Sequence, residues 1–255
     1  MPPGRKNSSK ERDMKRLYYD SSYIKTFTAA VTGCREGKKG LWEVTLDQTA
    51  FFPEGGGQPY DTGTLGEARV KEVHERGEEV IHYTDRPLTV GETVEGAIDW
   101  DRRFDNMQGH SGEHIITGCI HRRFGYDNVG FHMGSEEITI DFNGMITGEE
   151  LDEMEAEANE AIYRNLPVQI LTPTPEELKD MEYRSKKELT GQVRITVIPG
   201  VDVCACCGTH VEHTGEVGLI KVLGMIHYKG GVRISLLCGR RALEYCVRRQ
   251  KQVAA

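Results

Sequence analysis

Two short motifs that lie far apart in the chain place the strongest constraint on its fold. His110 and His114 stand four positions apart in HSGEH, within a predicted helix, so both imidazoles project from one helix face. Cys206 and His210 form a C-x-x-x-H unit in CCGTH, within a predicted turn. Imidazole and thiolate are ligands that zinc selects. If the two units share one ion, the fold must bring the helix and the turn together; the alternative is a set of core cysteines and hydrogen-bonded histidines.

The composition is typical of a soluble globular protein. Its 255 residues are enough for two domains, and 38% of them are hydrophobic and 28% charged. No apolar run approaches the roughly 18 residues of a membrane helix, and the polar start MPPGRKNSSKERDMKRLYYD has no secretory core. Seven cysteines, an odd number, favour reduced thiols and metal ligation over a disulfide framework. We therefore expect a cytoplasmic protein without a membrane anchor.

The net charge of -8 is unevenly distributed. Acidic residues crowd GEELDEMEAEANE (148–160), whereas KGGVRISLLCGRRALEYCVRRQK (229–251) is rich in Lys and Arg and holds a single Glu. A local basic surface can bind a polyanion despite an acidic total. A solvated helix face also explains such runs, so charge alone does not decide between these interpretations.

Turn signals divide the first part of the chain into short alternating segments. Residues 1–22 are expected to be a basic arm, loosely attached where the first 17 residues lack an apolar period. Residues 23–98 are expected to form a small β-barrel that contains the Gly-rich motif FFPEGGGQPYDTGTL (51–65).

After residue 99 the pattern changes to mixed helix and strand. Helices are predicted over 102–124, over GEELDEMEAEANEAIYRNL (148–166) and shortly after Pro175, and strands over EEITIDF, QVRITVI, GLIKVLGMIHY and VRISLL. Residues 99–240 should form one domain, followed by a C-terminal helix at 241–255. The predicted fold class is α+β, with an N-terminal barrel followed by a two-layer domain.

The motifs, in this order, resemble the editing domain of alanyl-tRNA synthetases and the free-standing alanyl-tRNA editing proteins. The resemblance is carried by HSGEH, GFHMGSEEITIDF, CCGTHVEHTGEVGLIKV and GGVRISLLCGRRA, preceded by the Gly-rich motif, and it covers roughly residues 23–245. It implies an editing domain of the threonyl/alanyl-tRNA synthetase second-additional-domain type. It also implies a deacylase that hydrolyses the ester between a wrong amino acid, chiefly serine or glycine, and alanine tRNA.

The same resemblance implies a Zn²⁺ cofactor. The family's ligands fall on His110, His114, Cys206 and His210. Where the family usually has C-G-G-T-H, this chain has Cys207 in place of the first glycine. An alternative thiol pair, Cys204 with Cys207, therefore stays open.

Substrate and tRNA contacts are expected from the Gly-rich motif, the C-x-x-x-H unit and the basic residues near the histidine helix and the late strands. These residues are Gly55, Gly56, Gly57, Gln58, Asp61, Arg102, Arg103, Thr209, Lys229 and Arg233. Cations there would neutralise tRNA phosphates, although each is also compatible with an ordinary surface charge. The Gly-rich motif lacks the G-K-[ST] ending of a P-loop, so no nucleotide cofactor is expected.

Two candidate catalytic groups accompany the metal ligands. His132 stands where synthetase editing domains usually have a Gln, and a ring nitrogen there would bond a serine hydroxyl; a packed or exposed histidine is the alternative. Glu113 is the carboxylate nearest to the histidine pair and is a candidate base. Because it only precedes His114 in the chain and need not point at the same site, we expect it to be solvated.

Two rival functions remain. HSGEH also fits H-x-x-E-H, the inverted zinc-peptidase pattern, with Glu113 as general base. That interpretation leaves CCGTH unexplained. A non-enzymatic RNA-binding module with a closed structural zinc is the third class.

Overall fold

A computed structural model describes residues 14–185 and 193–254 of the chain. Its contacts divide the chain into two units. The first takes the residues up to Pro53 together with Tyr60–Asp99, and the second takes Glu54–Pro59 together with the chain from Trp100 onward. Strands and helices both contribute, so the predicted α+β class is confirmed.

Short strands build the first unit. Its elements are β1 (Lys15–Arg16), α1 (Leu17–Asp20), β2 (Thr26–Glu36), β3 (Trp42–Leu46), β4 (Gln48–Thr49), β5 (Gly63–Leu65), β6 (Ala68–Arg76), β7 (Glu79–Thr84) and β8 (Thr93–Ile98). Antiparallel pairing closes a barrel in the order β2-β3-β7-β6-β5-β8. Alternate residues of β2, namely Phe27, Ala29 and Val31, are buried, because successive side chains of a strand point to opposite faces.

The described part of the expected arm is packed rather than loosely attached. Residues 1–13 of that arm lie outside the described residues. Lys15–Arg16 pair in parallel with Gln48–Thr49, and Leu17 and Tyr18 are buried. The expectation of a loose arm is therefore wrong from residue 14 onward, since these two side chains supply apolar surface that the basic composition obscured.

A four-stranded antiparallel sheet, in the order β14-β15-β10-β9, organises the second unit. The elements are α2 (Trp100–Phe124), β9 (Asn128–Met133), β10 (Ile138–Phe142), α3 (Gly148–Tyr163), β11 (Gln169–Leu171), α4 (Pro175–Lys179), β12 (Ile195–Ile198), β13 (Asp202–Ala205), a 3-10 turn (Thr214–Val217), β14 (Ile220–Tyr228), β15 (Gly231–Cys238) and α5 (Gly239–Val253). β11, β12 and β13 form a second, three-stranded sheet. The predicted C-terminal helix thus begins two residues earlier than expected.

Glycines inside α2 mark the points where other elements pack directly against it. A Cβ at Gly109 would come within 2.7 Å of the Met133 side chain, and one at Gly112 within 2.3 Å of the Cys238 Sγ. A Cβ at Gly118 would meet the Val201 carbonyl oxygen at 2.3 Å. The helix forms despite these residues because tertiary packing overrides their low helix propensity. As a result, every residue from Gly109 to Ile120 is buried.

The helix α3 follows the usual rules of an amphipathic surface helix. Thr147 and Glu150 form a reciprocal capping box at its start. Leu151, Met154, Ala158 and Ile162 recur at helical spacing along one face, and all four are buried. No helix in the described ranges combines the length and the apolar character that crossing a bilayer requires.

The Gly-rich segment belongs to the second unit rather than to the barrel domain in which the sequence placed it. Glu54–Pro59 lie in sequence between β4 and β5, yet their contacts are with the second unit. The Gly57 carbonyl accepts a hydrogen bond from the Met133 backbone N–H at 3.0 Å. The motif is therefore divided between the two units before Glu54 and after Pro59, and Gly57 lies against β9.

Candidate metal centre

The two halves of the predicted metal site come together inside the second unit. His110 and His114, one turn apart on the buried part of α2, are each 2% exposed. β13 ends at Ala205, and the loop that follows carries Cys206 and His210 to the same point. One ligand atom from each of these four side chains lies within 4.8 Å of the others.

The imidazole Nε2 atoms converge on the Cys206 sulfur. The distance from Sγ is 3.4 Å to the His110 Nε2 and 3.3 Å to the His210 Nε2. A tetrahedral zinc ion with ordinary bond lengths holds a nitrogen and a sulfur ligand roughly 3.6 Å apart. The donor types and their separations therefore fit zinc with little rearrangement.

Each of the three histidines is held through its other ring nitrogen, by a different kind of group. The His110 Nδ1 lies 2.8 Å from the Gln58 Oε1, and the His114 Nδ1 lies 2.8 Å from the Asp202 Oδ2. The His210 Nδ1 lies 3.1 Å from the Ser111 Oγ. The Gln58 and Asp202 oxygens accept from Nδ1 of His110 and His114, which fixes those rings and tautomers and leaves Nε2 as the metal-binding atom. The Ser111 hydroxyl, which can donate or accept, orients the His210 ring.

The electrostatics favour the protonation states that bind a metal at two of the ligands. Burial opposes ionisation of the Cys206 thiol, but the adjacent His110 and His210 imidazoles hold the pKa of Cys206 well below its usual value. Burial lowers the pKa of His210 to about 4. Burial would also lower the pKa of His114, yet its hydrogen bond with Asp202 raises that pKa well above the usual value. Metal binding through the His114 Nε2 would therefore release a proton.

Asp202 ties the His114 ring to a buried ion pair. Its two carboxylate oxygens accept hydrogen bonds from the Arg184 guanidinium, both at 2.8 Å. His114, Asp202 and Cys204 also form a second possible ligand cluster. Because the Asp202 carboxylate already bonds Arg184 and His114, we favour an orienting role for it over direct ligation.

The alternative thiol pair gains no support from the geometry. Cys204 is buried in β13, whereas Cys207 is exposed. Both groupings of ligand atoms found among the described residues omit Cys207. The thiol that meets two imidazole nitrogens is Cys206.

Glu113 is buried beside the cluster, so the expectation that it is solvated is wrong. Its side chain is about 2% exposed, and its Oε1 accepts hydrogen bonds from the Thr117 hydroxyl at 2.9 Å and from the Asn128 amide. Its Oε2 lies 3.9 Å from the His114 Nε2. The carboxylate is thus fixed close to the point where the imidazoles converge.

His132 lies on the other face of its strand. Phe131 stacks near His110 with ring centroids 5.2 Å apart, and Met133 packs toward α2. Because neighbouring residues of a strand point to opposite faces, His132 points away from the cluster, and it is exposed. The structure therefore does not support the predicted catalytic contact of His132.

Of the predicted substrate contacts in the Gly-rich motif, Gly55 and Gly56 are exposed, whereas Gln58 and Asp61 point inward. Gln58 and Thr209 are both fully buried and hydrogen-bond each other. Asp61 is also fully buried, in the first unit, where its Oδ2 accepts a hydrogen bond from the Phe52 N–H at 2.6 Å. The prediction that Asp61 contacts substrate is contradicted by this burial. Gly55 and Gln58 close a tight turn through paired backbone bonds of 3.1 and 3.0 Å.

The four predicted RNA-contacting cations differ in their exposure. Arg103 is fully buried, so its prediction as a surface phosphate contact is wrong. Arg102 is half-buried, and Lys229 is exposed at the turn between β14 and β15. Arg233 pairs with Asp141 at 2.6 and 2.8 Å, and its guanidinium lies 3.9 Å from the Tyr228 ring centroid.

Two clefts adjoin α2 on either side of the histidine pair. One of about 490 Å³ is lined by residues that include Arg102 and Asn106, one turn before His110. The other, of about 840 Å³, is lined by residues that include Gly118 and Arg184, one turn beyond His114. Both volumes lie within the range of small-ligand sites.

Sequence reasoning missed the groups that hold the imidazoles. Asp202 carried a signal, since Asp202, Cys204 and Cys206 recur with the period of two that puts side chains on one side of a strand. Ser111 lies inside HSGEH, but nothing in that motif indicates that its hydroxyl contacts His210. Nothing local in the sequence indicates that Arg184 pairs with Asp202.

Two family models match the chain. Residues 7–102 match tRNA synthetases class II (A), and residues 193–235 match the threonyl and alanyl tRNA synthetase second additional domain. The second match includes Cys206 and His210. The chain therefore carries a synthetase-type second additional domain, as the motifs predicted.

Individual relatives give a more specific result. The chain is 34% identical over 244 residues to the alanyl-tRNA editing protein Aarsd1 of Bos taurus, which covers 89% of this chain and 55% of the relative. It is 34% identical over 240 residues to the alanyl-tRNA editing protein AlaX-L of Pyrococcus horikoshii, covering 90% and 59%. It is also 34% identical over 244 residues to the alanine–tRNA ligase of Ignicoccus hospitalis, covering 90% and 26%.

The chain is thus a homologue of the alanyl-tRNA editing proteins over most of its length, and the resemblance inferred from its motifs is confirmed. It spans a little more than half the length of the curated editing proteins that it matches.

Proposed function

We propose that this chain binds one zinc ion through His110, His114, Cys206 and His210 and hydrolyses the ester that joins a wrong amino acid to alanine tRNA. The observation that carries the proposal is the convergence of the imidazole Nε2 atoms on the Cys206 sulfur, at 3.3 and 3.4 Å for two of them. The homology to proteins named for alanyl-tRNA editing supplies the substrate class.

A zinc ion held by these four residues would polarise the ester carbonyl or orient the aminoacyl group. Glu113 is the group of this chain best placed to move a proton. In hydrolysis, a water oxygen bonds to the ester carbonyl carbon, the bond from that carbon to the ribose oxygen breaks, and the water's proton passes through Glu113 to the ribose oxygen. Thr117 and Asn128 hold the carboxylate through Oε1, which turns Oε2 toward His114.

Serine and glycine are the proposed acyl groups. A synthetic pocket built for alanine rejects an analogue that adds only a hydroxyl poorly, and it can scarcely exclude the smaller glycine. A separate hydrolytic site supplies the missing discrimination. Correctly charged alanyl-tRNA should be largely spared.

The turn between β14 and β15 is the proposed contact for the tRNA backbone, together with Arg102. Lys229 is exposed there, and Arg233 lies against the Tyr228 ring beside it. Cationic contacts to phosphate give binding that weakens as salt rises. Because Arg233 already pairs with Asp141, the larger electrostatic contribution is expected from Lys229.

The test is a deacylation assay with seryl-, glycyl- and alanyl-charged alanine tRNA. We expect release of serine and glycine and slow release of alanine. Glu113→Gln should slow the reaction by at least about 100-fold, as loss of a general base does, whereas Glu153→Gln, a change at an exposed carboxylate on α3, should have no effect.

The same assay separates the rival functions. Intact ester with every charged tRNA would refute the deacylase proposal. Cleavage of casein by the zinc-loaded protein would favour a peptidase of the H-x-x-E-H type. Retention of zinc without either activity would favour a structural zinc in an RNA-binding module.

A further inference from the structure

Gln58 occupies a position that its predicted role in substrate binding does not explain. It is fully buried, and it belongs to the six-residue segment Glu54–Pro59 that groups with the second unit. Its side chain ends between α2 and the loop after β13, where it contacts His110 and Thr209. A buried amide between two parts of the metal site is placed to act on the site itself.

The orientation of the Gln58 amide is fixed by Thr209. The Gln58 Nε2 donates to the Thr209 Oγ1 at 2.8 Å, and the Thr209 backbone N–H donates to the Gln58 Oε1 at 3.1 Å. With the amide reversed, two N–H donors would face each other, so only one orientation satisfies both bonds. The atom presented to His110 is therefore Oε1, which can only accept.

The His110 tautomer follows from this arrangement. An acceptor 2.8 Å from Nδ1 requires that Nδ1 carry the proton. The lone pair of the neutral ring is then on Nε2, which lies 3.4 Å from the Cys206 sulfur. The amide thus selects the ring nitrogen that faces the other ligands.

Two glycines make the approach of Gln58 possible. Gly57 has a φ of +88°, and a Cβ there would lie 2.5 Å from the Phe131 ring. A Cβ at Gly208 would lie 2.1 Å from the His110 ring and 3.0 Å from the Gln58 Oε1. A side chain at Gly208 would push the amide and the imidazole apart, and one at Gly57 would push the segment away from Phe131.

From these contacts we infer that Gln58 is a positioning residue, which holds His110 in the Nδ1–H tautomer and so presents its Nε2 to the metal. The inference rests on the proposed zinc site and assigns to the Gly-rich motif a role in metal binding. Loss of an outer partner of a ligating histidine typically lowers metal affinity by about 10- to 100-fold.

The test measures zinc affinity by competition with a chromophoric chelator, for the full chain and three variants. Gln58→Leu should weaken zinc binding at least about 10-fold. Gln58→Glu should restore it, because a carboxylate still accepts from the His110 Nδ1–H and from Thr209. The matched control is Gln108→Leu, since the Gln108 side chain also donates a hydrogen bond in the second unit, to the Glu216 carbonyl at 2.8 Å, at a partly buried position outside the ligand cluster.

A second measurement needs neither a variant nor a bound metal. Long-range ¹⁵N–¹H correlation spectra of the wild-type histidine rings should show His110 protonated at Nδ1. An Nε2–H tautomer of His110 would overturn the inference, and so would equal zinc affinities for Gln58→Leu and Gln108→Leu. Neither readout depends on ester hydrolysis, so failure of the deacylase proposal would leave this inference separately testable.

Discussion

Each of the two units contains a buried histidine, His82 in the first and His110 in the second, and the two rings differ in the partner of the second ring nitrogen. In the first unit, His82 is fully buried, its Nε2 lies 2.8 Å from the Thr49 hydroxyl, and its Nδ1 lies 3.2 Å from the Val44 carbonyl oxygen. In the second unit, His110 meets the Gln58 amide oxygen with Nδ1 and turns Nε2 toward the Cys206 thiol.

Burial and hydrogen bonding alone therefore do not distinguish a structural histidine from a metal ligand. Both nitrogens of His82 have partners that only satisfy the neutral ring. His110, His114 and His210 each have Nδ1 in such a bond, and their other nitrogens converge on a thiol. A ligating histidine is therefore recognised by the partner of its second ring nitrogen.

Removal of the shared thiol should have the largest effect. Cys206→Ser replaces the sulfur at the point of convergence, so zinc affinity should fall by more than the roughly 100-fold that loss of an outer partner costs, and deacylation should disappear. Zinc content by elemental analysis and the charged-tRNA assay measure both. Cys207→Ser is the matched control, and loss of zinc from this variant alone would show that the other thiol is the ligand.

Lowering the pH should reduce the free energy of unfolding through the buried His82. Burial lowers the pKa of His82 to about 4, from 6.5. Because the unfolded ring binds a proton between these values and the native ring does not, this stabilisation is complete above pH 6.5 and is lost as the pH falls toward 4. The loss amounts to about 3 kcal/mol in the free energy of unfolding.

The measurement is denaturant unfolding followed by Trp42 fluorescence in a Trp100→Phe background, which reports on the first unit. A His82→Gln variant should lack this part of the pH dependence while keeping its zinc. Parallel pH curves for the two proteins, or loss of zinc from His82→Gln, would contradict the conclusion that His82 is a structural histidine.

Loosening His114 should have an intermediate effect. Asp202→Asn removes the carboxylate charge that holds the Nδ1–H, so zinc affinity should fall about 10- to 100-fold. Asp141→Asn is the control, because Asp141 also pairs with an arginine in the second unit but contacts no ligating histidine. Equal losses in the two variants, measured by chelator competition, would mean that Asp202 acts only through stability of the fold.

The smallest effect is expected for Cys204. The Cys204 thiol is buried near His114, but it does not belong to the cluster of His110, His114, Cys206 and His210. Cys204→Ala should therefore leave zinc affinity within about threefold of the wild type. A large loss would favour the alternative cluster of His114, Asp202 and Cys204.

The sequence predicted those parts of the site that depend on local geometry. A four-residue spacing on a helix places His110 beside His114, and the C-x-x-x-H unit keeps Cys206 near His210, so each pair needs only one element to form. The groups that hold the rings are not local. Gln58 is 52 positions from His110, and Asp202 is 88 positions from His114.

The burial of polar residues on α2 could not be predicted for a different reason. Glu113 was expected in solvent because it only precedes His114 in the chain, and Arg103 was expected among the cations that contact phosphate. From Gly109 to Ile120, α2 is instead buried at every residue, because its glycines admit neighbouring elements where a surface helix would have larger side chains. β9 was also missed, since NVGFHM lacks a clear alternation of apolar and polar residues.

The placement of Glu54–Pro59 has a consequence for how small an autonomous form of this site can be. A fragment that starts at Trp100 would contain all four proposed ligands and, except for Pro59, the residues that line the two clefts along the helix. It would nevertheless lack the amide that selects the ring nitrogen of one ligand, because that amide is encoded upstream. A minimal version of this centre would need another acceptor in its place, and the nature of that substitute would set how tightly the ion is kept.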